Sequence, residues 1–154
     1  MMQAPQAPQR VGRLVENRAV YTLSPDMTVA QAAAYMAERR VGAVSVVENE
    51  RLAGLFSERD LLKRVVAAGR DPRATRVSEV MSSPVLTADA EEPPGACLER
   101  MKKANIRHLA VLSQGRLMGL VTLRDLLLAD ITEKQGELTL MRAYIDYAPP
   151  EGGG

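Results

Sequence analysis

Apolar positions along this chain follow two rhythms, and both halves run through them in the same order. Val29, Ala32, Ala33 and Met36 fall at i, i+3, i+4 and i+7, which is one face of a helix. Pro94, Cys97, Leu98 and Met101 repeat that spacing, and a proline pair suits a first helical turn. Two apolar runs separated by a polar break follow each helix. In the first half they are VGAVSVV and RLAGLF, parted by Glu48-Asn49-Glu50. In the second they are IRHLAVL and RLMGLV, parted by Ser113-Gln114-Gly115. Each pair predicts two strands joined by a tight turn. A short strand is expected ahead of each helix, at Ala19–Thr22 and at Pro84–Thr87. Each half closes with a helix that starts at Ser57 or at Thr122.

The halves are copies. Displacing the sequence on itself by about 65 positions aligns Val20–Leu62 with Val85–Leu127 without a gap, with about a dozen identities. The expected architecture is therefore α/β of the α+β kind: two β-α-β-β-α units packed with pseudo-twofold symmetry, plus a C-terminal helix. One such unit of ~50 residues buries too little surface to be secure alone, whereas two can share a core. The predicted organisation is a disordered tail over 1–10, a first unit over 11–68 and a polar linker over 69–82 with a short helix at Val77–Met81. A second unit follows over 83–131, an extra helix over 132–147 and a disordered tail over 148–154. Leu138, Met141, Tyr144 and Ile145 fall on one side of the extra helix.

Composition narrows the function classes. Apolar residues make up 46% of the 154, but there is no Trp, one Phe and four Tyr, so the core must be aliphatic. A formal net charge of +1 gives no global pull toward nucleic acid or an anionic membrane. One cysteine excludes an internal disulfide framework and fits a reducing compartment. No segment approaches the ~18 consecutive apolar residues of a membrane span, and the opening residues lack the apolar core of a signal peptide. A cytoplasmic protein is expected. One His and one Cys cannot form a zinc site or a convincing Cys–His pair. Phosphate-binding glycine loops, a helix-turn-helix and an aromatic nucleic-acid platform are all lacking, so the chain reads as non-enzymatic.

Candidate chemistry lies in GLFSERDLL, Gly54 to Leu62, and its copy GLVTLRDLL, Gly119 to Leu127. A hydroxyl followed three residues later by an acid is a capping box at a helix start. The same atoms could face a ligand. A helix N-terminus with a hydroxyl and free N–H groups suits a phosphate, and a carboxylate can accept from both hydroxyls of a ribose. The motif alone leaves both readings open.

The tandem β-α-β-β-α pattern, the doubled ending and the phrase IRHLAV resemble a pair of cystathionine-β-synthase (CBS) domains, a Bateman module, over roughly Leu14 to Ile131. The segment LTLMRAYI is similar to short stand-alone bacterial CBS-pair proteins. The resemblance implies two ligand pockets in the cleft between the repeats. One would hold Thr122 and Asp125, with Val20, Tyr21, Thr22, Gly42 and Ala43 around a base and His108 near the phosphate. The other would hold Ser57 and Asp60, with Val85, Leu86, Thr87, Ile106 and Arg107. Arg59 and Arg124 lie inside the two motifs, as ligand contacts or as surface residues. If charged His108 holds phosphate, affinity for AMP should rise as pH falls from about 8 to about 6. The chain departs from the family in two places: Ala110 stands where Pro is frequent, and Pro93-Pro94 replaces the Thr28-Val29 type of helix start. The resemblance implies a regulatory module that binds an adenine nucleotide (AMP, ADP, ATP or NAD(H)), with no catalytic cofactor and no metal. It also implies a homodimer that signals to a partner protein. The competing reading is a ligand-independent scaffold whose doubled motif only caps helices.

Overall fold

A computed structural model describes residues 9–147; the expected tail over 148–154, and residues 1–8 of the one expected over 1–10, lie outside the described residues. Its two halves have the same architecture. In the first, β1 (Thr22–Leu23) pairs in parallel with β2 (Ala43–Glu48), and β2 pairs antiparallel with β3 (Arg51–Ser57). Helix α1 (Val29–Arg39) connects β1 to β2. After Ser57 the chain turns into α2 (Glu58–Asp60), which continues as a π-helix over Leu61–Val66. The linker carries α3 (Val77–Val80). The second half repeats the plan with β4 (Thr87–Asp89), α4 (Pro94–Ala104), β5 (His108–Ser113), β6 (Arg116–Thr122) and α5 (Leu123–Tyr147).

Local sequence accounts for these elements. Asn49 and Glu50 both take positive φ at the β2–β3 turn, as a two-residue hairpin requires. Thr28 and Gln31 form a reciprocal capping box at the start of α1. Pro93 and Pro94 do not disturb the second copy. Pro94 takes the first helical position, and α4 matches α1 in length at 11 residues. Both helices end in a left-handed residue, Arg40 or Asn105.

Two differences from the sequence expectation bear on function. The short strands lie further along the chain, at Thr22–Leu23 and Thr87–Asp89 rather than Ala19–Thr22 and Pro84–Thr87. The residues before them lie outside the sheet. In addition, the closing helix of the second half and the expected extra helix are one continuous helix, α5, of 25 residues. Nothing at 131–132 interrupts it, because neither Gly nor Pro stands there. Leu138 is exposed; the side chains of Met141, Tyr144 and Ile145 lie outside the described residues.

Each half has its own aliphatic core, and the leading segments are exchanged. Val77 and Val80 of α3 pack with Leu23, Val29, Met36, Val46 and Phe56 of the first half. Reciprocally, a 3-10 turn at Val11–Leu14 belongs to the second half. Val11 and Val15 pack with Cys97, Met101, Leu109 and Val121, and the Val11 and Gly12 amides donate to the Glu92 and Ala90 carbonyls. Val44 and Val46 point into the first core, so the alternation of a strand turns Ala43 and Ser45 to the other face.

Candidate functional site

Two cavities, of about 460 and 510 Å³, are each walled by both halves. Residues 19–21 and 84–86 line them because they stop short of the sheet and leave their backbone outside the strand ladder.

Val20, Tyr21, Gly42 and Ala43 line the first cavity from the first half, and His108 and Thr122 from the second. Tyr21 is braced there. Its ring packs edge to face on Tyr35, with centroids 6.2 Å apart, and the Arg39 guanidinium lies 3.5 Å over the Tyr35 ring centre. Ser57, Arg59, Asp60, Val85, Leu86, Ile106 and Arg107 line the second cavity. Gly42 and His108 border both cavities. Four expected residues line neither. Thr22 and Thr87 are taken up by strand pairing with Ser45 and Ala110. Arg124 points outward from the first turn of α5. Asp125 meets Arg18 instead.

The Arg18 contact distinguishes the cavities. Arg18 leads from the 3-10 turn toward β1 and lines the first cavity. Its guanidinium forms a two-pronged bond with Asp125, Nη1 to Oδ2 at 2.7 Å and Nη2 to Oδ1 at 2.8 Å. The Thr122 amide donates to the same Oδ2 at 2.8 Å, and the Asp125 amide donates to Thr122 Oγ1. Partial burial pushes the Asp125 carboxyl up, but the bonds from Arg18 and Thr122 outweigh it and hold the group below the usual aspartate value. Its counterpart Asp60 is buried, and its cation is looser: Arg64 Nε stands 3.7 Å from Oδ1, an ion pair beyond hydrogen-bond reach. Asp60 accepts from the Ser57 amide and hydroxyl and, at 3.0 Å, from Ser82 Oγ. Both capping boxes are thus present, and in each the residue leading into the opposite half's short strand supplies a further bond.

His108 is half-buried, and burial foremost, with Arg107 adding to it, pushes its pKa below the ordinary 6.5 against the pull of Glu58 and Asp125. The ligand-free imidazole therefore carries less positive charge at neutral pH than an ordinary histidine. Arg107 lines only the second cavity, where Glu58 accompanies it. Arg18 and Arg40 line the first.

Sequence reasoning did not single out Arg18, Arg40, Ser45, Glu58 or Ser82. Ser45 had a signal, being the one hydroxyl inside the apolar run VGAVSVV. Arg18 had none, because it precedes the region where the repeats align closely. Among the described residues no group of three His, Cys, Asp or Glu could hold a metal. Cys97 is buried in the second core, where burial pushes its thiol up, so it serves packing.

The CBS domain family matches residues 11–67 and 77–131. A CBS domain-containing protein of Bacillus subtilis is 38% identical over 107 residues, covering 70% of this chain and 76% of its own. A mitochondrial CBS domain-containing protein of Arabidopsis thaliana is 32% identical over 78% of this chain and 61% of its own. Among solved structures, a putative signal-transduction protein with CBS domains from Burkholderia ambifaria superposes with a TM-score of 0.75 at 32% identity, covering 80% of this chain and 95% of that one. A CBS domain protein from Pyrobaculum aerophilum, solved in complex with AMP, gives 0.69 at 30% identity over 75% and 88%.

Proposed function

The chain belongs to the CBS-domain family, as a pair of CBS domains, and we propose that it is a regulatory module that binds an adenine nucleotide (AMP, ADP, ATP or NAD(H)) between its repeats. The observation that carries this reading is that each cavity draws its walls from both halves. A ligand there touches two bodies at once, so its affinity depends on their relative arrangement. Differential affinity of that kind is what lets a ligand shift a conformational equilibrium. The cavity sizes suit a nucleotide, and the AMP complex of the Pyrobaculum protein supports the choice of ligand.

In the first cavity Thr122 and the α5 N-terminus would face phosphate, with Tyr21 beside the base. Asp125 would take the ribose hydroxyls after releasing Arg18. This exchange is the step we assign to signalling, because Arg18 belongs to the segment packed on the second half while β1 belongs to the first. In the second cavity Asp60 and Ser57 would play the matching parts, with Arg59 and Arg107 near phosphate. The protein would work as a homodimer and pass the change to a partner protein, without catalysing a reaction.

Thermal melting with AMP, ADP, ATP, NAD and NADH tests the reading. A ligand of the folded state raises stability by RT ln(1 + [L]/Kd), about 2.7 kcal/mol at a hundredfold excess over Kd. No shift with any of the five would leave the doubled motif as helix caps in a scaffold. Product analysis after long incubation with ATP or NAD would expose any turnover.

A further inference from the structure

Ser45 Oγ is sealed from solvent and has no hydrogen-bond partner; among the described residues it is the only buried side-chain oxygen or nitrogen in that state. Ser45 is 1% exposed and lines the first cavity. Leaving a buried hydroxyl unpaired is unfavourable, and an apolar residue of similar size would avoid it. The repeat shows that the strand accepts one: Ala110 stands at the equivalent position of β5, fully buried. The backbone therefore does not require Ser45, and the ligand-free protein gains nothing from it.

Position suggests what the hydroxyl is for. Ser45 shares a strand face with Ala43 and is registered beside Thr22, next to the approach that carries Val20 and Tyr21. Thr122 and Asp125 stand across the cleft on the second half. With the sugar and phosphate held on that side, the base falls against the wall containing Tyr21, Ala43 and Ser45. A serine hydroxyl turns among three staggered positions without backbone movement, so an incoming polar edge can collect it.

We infer that Ser45 is a specificity-determining residue of the first cavity, whose hydroxyl accepts a hydrogen bond from the exocyclic 6-amino group of the bound base. The inference rests on the nucleotide reading above. Ala110, the residue at the matching place of the second half, carries no hydroxyl and does not line the second cavity, so the two cavities differ in how strictly they read the base.

The test is calorimetric titration of wild-type and Ser45→Ala protein with AMP and with purine ribonucleoside 5′-monophosphate, which lacks the 6-amino group, together with melting of both ligand-free proteins. The expected result is a loss of AMP affinity of about three- to tenfold at one site, the size of one neutral hydrogen bond. The analogue should bind both proteins alike. The ligand-free variant should melt at a higher temperature, because it no longer buries an unpaired hydroxyl. Unchanged AMP affinity overturns the inference and leaves the nucleotide reading standing. An equal loss for AMP and the analogue overturns the 6-amino contact, and a lower melting temperature of the ligand-free variant makes the hydroxyl a structural one. If wild-type protein binds none of AMP, ADP, ATP, NAD and NADH, the nucleotide reading and this inference fall together.

Discussion

Arg18 and Asp125 show how one side chain can alter a site whose motif is intact. The two capping boxes share their hydroxyl and aspartate, yet one carboxylate is gripped by a two-pronged guanidinium and the other by Ser82, with Arg64 looser at 3.7 Å. On the proposed nucleotide reading, a ribose would displace Arg18 to reach Asp125. Arg18→Ala should therefore tighten adenosine binding about two- to fivefold, since a partly exposed ion pair contributes about 0.2–1 kcal/mol. Asp125→Ala should weaken it at least about tenfold, because charged hydrogen bonds are worth about 1.5–3 kcal/mol each. Calorimetry reads both, and weaker adenosine binding in Arg18→Ala would contradict the competition. The pair also has a pH signature. A carboxyl with a folded pKa below its unfolded value adds stability above the ordinary aspartate range, and that stability is lost as pH falls through the folded value. The melting difference between wild type and Arg18→Ala should be present at pH 7 and shrink below about pH 4. Of this site the sequence showed the hydroxyls and aspartates, because they recur at a fixed offset. Arg18 and Ser82 stayed hidden because their bonds span 107 and 22 residues and follow no local pattern.

At the scale of elements, periodicity located α1, α4 and both hairpins, since a buried face imposes its period on the sequence. It placed the short strands too early. Apolar residues at 20 and at 85–86 look like strand residues but serve as cavity walls. Backbone crowding was equally invisible. Gly54 of β3 lies against the linker, and a Cβ there would stand 2.5 Å from Met81 Sδ and 3.0 Å from the Ser82 carbonyl oxygen. Methionine can move, but the Ser82 backbone exchanges two hydrogen bonds with Leu55. Gly54→Ala should destabilise the fold by about 1–3 kcal/mol. Gly95, in the first turn of α4, has nothing within 4 Å of an added Cβ, and Gly95→Ala should stabilise by about 0.4–1 kcal/mol. Urea unfolding of the pair measures both, and equal effects would refute the crowding.

Viewed whole, the molecule leaves a symmetric set of apolar side chains uncovered. Leu62 and Val66 follow Asp60, and Leu127 and Ile131 follow Asp125 at the same offsets; the four are 61%, 61%, 42% and 50% exposed. The repeat thus presents one pattern twice, which suits a self-complementary contact with a second copy. Light scattering should report a dimer at micromolar concentration, and the double substitution Leu62→Asp with Leu127→Asp should leave monomers. A wild-type monomer with and without nucleotide would contradict this. The exchange of leading segments carries a different consequence. Each core is finished by a piece of chain that precedes the other repeat, so neither repeat is a self-sufficient fragment. A half-length chain that kept its own leading segment could bury its apolar residues only by lending that segment to a twin and borrowing the twin's in return. Residues 69–147 expressed alone should therefore be found as swapped pairs, and the present chain can be viewed as such a pair with its two members joined end to end.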